Sequence, residues 1–136
     1  MIKNSLKGKE QGVHSVFRYY SKPKNEVISK LEKVLRCEED ILLAIVFGSF
    51  VELNEYRDID LALYTLRKDL GYLAKLSAKL ELKLGIPVDV VPIDEVPATL
   101  RHKILTKGII ILERTKGIYE ALLNQTLDEI YTLKHT

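Results

Sequence analysis

The sequence predicts an α/β (α+β) domain: a small mixed β-sheet with helices packed on it. Stretches with apolar residues three and four positions apart alternate with short, continuous apolar runs of strand length. Glycine or proline stands at most of the changeovers, where the chain must leave one geometry for another. The chain has 136 residues, 46% of them hydrophobic, enough for one core and too few for two ordinary domains. Helices and strands in alternation bury their apolar faces by stacking in layers.

Residues 1–22 carry no sustained periodicity, although Val13, Val16, Phe17 and Tyr20 have the spacing of one short helical face. Residues 1–24 hold Lys3, Lys7, Lys9, Arg18, Lys22 and Lys24 against Glu10 alone. It is expected as a basic, solvated arm over 1–22, with contact to RNA or a partner protein left open. A single domain is expected over 23–136. Pro23 suits a helix start, and Val27, Ile28, Leu31, Val34 and Leu35 follow at helical spacing, which predicts a helix over 24–37. Ile41 to Phe47 is a short apolar run with β-branched members, and it reads as a buried strand ending at Gly48. A turn or short helix should begin at Ser49.

Asp58 to Tyr64 is the next expected strand. Leu70, Leu73, Leu76, Leu80 and Leu84 then form one helical stripe that stops at Gly85. A third strand is expected over Ile86 to Val91, closed by Pro92. A helix should open at Pro97 and be capped by Gly108, with the short strand IIILER after it. A last helix over 116–133 offers Ile118, Leu122, Ile130 and Leu133 for packing.

Composition excludes several classes. A net charge of +2 is too small to argue for nonspecific nucleic-acid binding. No apolar run approaches a membrane span and the first residues lack a secretory segment, so a cytoplasmic location with no membrane partner is expected. The one cysteine, Cys37, cannot form an internal disulfide, has no ligand-spaced neighbours for zinc, and reads as a helix residue of no special reactivity. His14, His102 and His135 are scattered.

Acids within apolar strands need compensation, because a buried charge is costly. Asp58 and Asp60 are two residues apart, so on a strand they share one face while Ile59, Leu61 and Leu63 take the other. Two carboxylates this close repel unless a cation sits between them. Magnesium suits one or a few carboxylates with the rest of its octahedron from water and phosphate. Asp89 stands among apolar neighbours in IPVDVVP. It completes a three-carboxylate site if its strand pairs beside the Asp58 strand, and otherwise meets water at a sheet edge. Gly48 allows close approach of backbone to a ligand, and Ser49 can cap a helix or donate to phosphate; the bland alternative is a turn. Arg57, Arg101, Lys103 and Lys107 are either phosphate partners or ordinary surface charges.

The ordered set Phe47-Gly48-Ser49, Asp58-Ile59-Asp60-Leu61 and Val88-Asp89-Val90-Val91 resembles the DNA polymerase β-like nucleotidyltransferase superfamily. The short length is similar to its minimal nucleotidyltransferase (MNT) family, whose members are often the antitoxin halves of HEPN/MNT toxin–antitoxin pairs. The resemblance spans about 24–114 and includes the closing segment ILTKGIIILER. It departs after Ser49: Phe50, Val51, Glu52 and Leu53 stand where relatives commonly carry a small residue, an arginine and a glycine, and the turn is shorter.

The resemblance implies a polymerase β-like nucleotidyltransferase fold and an enzyme that moves a nucleoside monophosphate, AMP from ATP or another NTP, onto a hydroxyl. It implies Asp58 and Asp60 as ligands of two Mg²⁺ ions, Asp89 as a further ligand, and Gly48 and Ser49 as the triphosphate grip. The acceptor it implies is a tyrosine of a HEPN-type partner protein. A homo-oligomer is compatible with this, and nucleic acid is disfavoured. The alternatives are an inactive scaffold that works by direct binding, which the altered turn favours, and a transferase for a small molecule or RNA.

Overall fold

The computed structural model describes residues 19–135. Val13, Val16, Phe17 and most of the expected basic arm lie outside them. The elements are α1 (Lys24–Arg36), β1 (Ile41–Phe47), α2 (Ser49–Glu52), β2 (Ile59–Thr65), α3 (Leu70–Leu84) and β3 (Val88–Pro92), then a single 3₁₀ turn over Ile93–Glu95. α4 (Ala98–Lys107), β4 (Ile109–Glu113) and α5 (Ile118–Lys134) complete the order. Every expected element is present, with boundaries moved by no more than two residues. Cys37 is the exposed residue that caps α1.

The sheet order is β3-β2-β1-β4. β1 pairs antiparallel with β2 and β4, whereas β2 and β3 run parallel and are joined through α3. Parallel neighbours need a crossover of this kind, and a helix long enough to span the sheet provides it. The result is the small mixed sheet expected, with helices on both faces.

One face carries α1 and α3. Val27, Leu31 and Leu35 of α1 and Leu73, Leu76, Leu80 and Leu84 of α3 are buried against Ile59, Leu61 and Leu63 of β2. Each fully buried aliphatic side chain here stabilises the fold by about 1.5–3 kcal/mol. The opposite face packs Leu43 and Ile45 of β1 and Ala62 of β2 against Ile104 and Leu105 of α4 and Leu122 of α5. β1 is buried on both faces, which explains its continuous apolar run.

Two members of the expected helical stripes are exposed. Leu70 is 84% exposed because it is the first residue of α3, one turn short of the sheet. Leu133 is 68% exposed in the last turn of α5, past the reach of the core. Asp69 caps α3 by accepting from the Tyr72 amide, and Gly85 ends it in the left-handed conformation at φ 70°.

Arg101, read from sequence as a phosphate partner or a surface charge, is neither. Its guanidinium is buried between α4, α5 and the 3₁₀ turn. It donates to the carbonyls of Ile93 and Val96 and to the carboxylate of Glu129. Arg114 likewise donates to the carbonyls of Arg36, Glu38 and Ile41, closing the C-terminal end of α1 with a cation.

Candidate active site

The acids meet at the end of the sheet where β1 finishes and β2 and β3 begin. Hydrophobic alternation puts Ile59 and Leu61 into the core under α1 and α3, so Asp60 must face the other way. Parallel pairing places Asp60 beside Asp89, in the register Ile59 with Val88 and Leu61 with Val90. Asp58 lies just ahead of β2. One carboxylate oxygen from each of Asp58, Asp60 and Asp89 lies within 4.8 Å of the others.

Antiparallel pairing sets Phe47 opposite Asp60, so the turn after β1 folds against the same carboxylates. Gly48 has φ +79°, and a Cβ there would stand 2.4 Å from Asp60 Oδ2. Only glycine combines that backbone conformation with that approach. The carbonyl of Gly48 accepts from the amides of Val51 and Glu52, which closes α2. Ser49, the first residue of α2, is partly exposed next to this contact.

Burial and like charge act together on these acids. Burial, then the charges of Asp58 and Asp89, pushes the Asp60 carboxyl up to about 6. Asp89 is also raised, by burial and by Asp58 and Glu81. Three oxygen donors at ligand spacing, with Asp60 and Asp89 raised by burial and by neighbouring carboxylates, fit a hard divalent cation, which relieves that repulsion directly.

Sequence reasoning singled out Asp58, Asp60, Asp89, Gly48 and Ser49, and the fold brings these five to one end of the sheet. Arg57 is exposed beside Asp58, and Lys103 and Lys107 lie on the solvent side of α4. His102 is partly buried on α4. Glu81 was not singled out, because it is one polar residue in an amphipathic helix. Its carboxylate accepts from the Val88 amide and so anchors β3 one residue from Asp89. Tyr56 was also passed over as a turn residue, yet it is 1% exposed and packs edge-on against Phe50 of α2.

A mixed sheet that presents a Gly-Ser turn to three converging carboxylates defines a nucleotidyltransferase of the polymerase β type. The family model described as "Polymerase beta, Nucleotidyltransferase" matches residues 29–117, and the chain belongs to that family. Among solved structures, the chain is similar to one in the toxin–antitoxin MntA-HepT, at 23% identity and TM-score 0.67 over 82% of this chain and 90% of that one. It is similar to one in the complex of tri-AMPylated Shewanella oneidensis HEPN toxin with MNT antitoxin, at 24% identity and TM-score 0.69 over 83% and 91%. A third, in a toxin–antitoxin structure with AMP-PNP, is 25% identical at TM-score 0.69 over 79% and 90%. No match was found among curated proteins. The resemblance to the MNT family is therefore matched at the level of the fold.

Proposed function

We propose that this chain is an MNT-type nucleotidyltransferase that transfers AMP from ATP to a tyrosine hydroxyl of a HEPN-type partner protein, and acts thereby as an antitoxin. The observation that carries the reading is the convergence of Asp58, Asp60 and Asp89 beside the Gly48 turn. The similar chains found with AMP-PNP, and with an AMPylated HEPN toxin, support the nucleotide and the partner.

In this reading Asp58 and Asp60 would hold two Mg²⁺ ions and Asp89 would be a further ligand. The metal supplies charge neutralisation at the phosphates and acidity at the acceptor hydroxyl. Gly48 lets the triphosphate approach the backbone, and the Ser49 hydroxyl donates to a phosphate oxygen. The acceptor hydroxyl gives up its proton to water, its oxygen forms a bond to the α-phosphorus in line with the bond to pyrophosphate, which breaks, and pyrophosphate departs. Holding both reactants at one end of the sheet makes the step effectively intramolecular. Asp89, the exposed member of the three, is the carboxylate open to an arriving acceptor.

A second reading, neutralisation by binding without transfer, is favoured by Glu52, an exposed acid at the end of α2 that brings negative charge to the turn expected to meet a triphosphate. Incubation with α-labelled ATP, Mg²⁺ and a HEPN protein encoded by the neighbouring gene separates the two. Label should appear on the partner and be lost in Asp58→Asn and Asp60→Asn variants. Neutralisation with no label, indifferent to those substitutions, would establish the second reading.

A further inference from the structure

The segment between the phosphate grip and the metal ligands, Phe50 to Arg57, is held from outside the sheet. Tyr20 and Tyr56 exchange two backbone hydrogen bonds, the Tyr20 amide to the Tyr56 carbonyl at 2.7 Å and the Tyr56 amide to the Tyr20 carbonyl at 3.1 Å. The Tyr56 hydroxyl donates to the Lys22 carbonyl at 3.0 Å, and the two tyrosine rings stack with centroids 6.5 Å apart. Lys24 Nζ donates to the Val51 carbonyl at 3.4 Å and lies 5.8 Å from the centre of the Phe50 ring. Lys22 Nζ donates to the Leu84 carbonyl at 2.6 Å, which ties the same segment to the end of α3.

These contacts meet the turn at both of its ends. Val51 sits in α2, two residues after Ser49, and Tyr56 sits two residues before Asp58. Inside the turn, the Leu53 amide to the Ser49 carbonyl is the last helical bond, and residues 53–55 are exposed. The exposed stretch 53–55 takes its order from what pins its two ends, the buried Phe50 and Tyr56 and the segment packed on them.

We propose that Tyr20 to Lys24 is a positioning strap: it holds the Phe50–Arg57 turn so that Gly48 and Ser49 keep the geometry needed to bind a nucleoside triphosphate. This rests on the reading of Gly48 and Ser49 as the nucleotide grip. Tyr20 and Tyr56 touch no reacting group; they act through the backbone of the turn.

The test uses the full-length chain with Tyr20→Pro, which deletes the amide that donates to Tyr56, and Tyr56→Phe, which deletes the hydroxyl that donates to Lys22. Tyr20→Phe, which keeps both the bridge and the ring, is the conservative comparison. Amide exchange of Val51 to Tyr56 should accelerate in the first two variants and stay unchanged in the third, with β1 and β2 unaffected. Affinity for Mg²⁺ with AMP-PNP should weaken by about tenfold in the first two, since small misplacement of a binding group has large consequences. The rise in melting temperature caused by Mg²⁺ alone should be retained, because the strap does not touch the acids. Slow exchange in the turn of both variants overturns the strap, as does fast exchange with wild-type nucleotide affinity. A wild-type chain that binds no nucleotide overturns the positioning role together with the grip. It is told apart from failure of the strap alone because the turn then still loosens in the variants.

Discussion

Asp60 concentrates the conflict between folding and charge in this protein. It is half-buried on β2, against Gly48 and between two other carboxylates, and its proton affinity rises to about 6 for that reason. In the unfolded chain the same group titrates near 3.8. The folded state therefore binds more protons than the unfolded state between these values, so the contribution of Asp60 lowers stability as pH rises from about 4 to about 6. Below that window the carboxyl is neutral in both states and the penalty is absent. Mg²⁺ at the three acids should offset the penalty where Asp60 is ionised. The increase in melting temperature on adding Mg²⁺ should thus be small at pH 5 and larger at pH 7. Thermal unfolding of the wild type and Asp60→Asn, with and without the ion, checks this. A metal response in Asp60→Asn equal to that of the wild type would remove Asp60 from the cation site.

At the scale of elements, the helices of the second layer are joined by Arg101. Its side chain is 7% exposed, and it bridges the 3₁₀ turn after β3 to Glu129 of α5. Arg101→Ala leaves the carbonyls of Ile93 and Val96 without their donor and should cost about 3 kcal/mol in urea unfolding. Arg101→Lys should recover only part, because one ammonium cannot replace a fork of donors aimed in three directions. Full stability in Arg101→Ala would mean that α4 and α5 are held by apolar contacts alone. The stripe pattern that predicted these helices could not expose this role, since an arginine on a helix is at the surface in most proteins. Gly108 was legible only as a cap. A Cβ there would meet Ile45 Cγ2 at 2.4 Å and the Val46 carbonyl at 2.8 Å, so it is also where α4 is brought hard against β1.

Across the whole molecule, one sheet serves two cores. β1 supplies Ala44 and Val46 to the cluster under α1 and α3, and Leu43 and Ile45 to the cluster under α4 and α5. Neither layer can leave without exposing a face of the strand that the other needs. Urea unfolding followed by far-ultraviolet circular dichroism and by tyrosine fluorescence should therefore give one coincident transition. The tyrosines sample both layers, with Tyr56 and Tyr72 against the first cluster and Tyr64 and Tyr119 against the second. Two separated transitions would show that the α4–α5 layer melts independently. Among the described residues no helix is long and apolar enough to cross a membrane.

What could be read from the chain in one dimension was whatever depends on local spacing. Apolar periods and glycine or proline punctuation located the four strands and the four long helices among the described residues, and the pair Asp58 and Asp60 had to share a face because strand side chains alternate. Gly48-Ser49, those two acids and Asp89 were legible as a resemblance before any pairing was known. The pairing itself belongs to three dimensions. Asp89 joins the site because β3 runs parallel to β2 in the register that sets it beside Asp60, and no local pattern encodes which strand lies next to which. The burial of Arg101, the exposure of Leu70 and Leu133, and the hold of Tyr20 on Tyr56 depend in the same way on distant segments meeting. The Gly-Ser turn and the acids are thus sequence features, and the site is a property of the folded sheet.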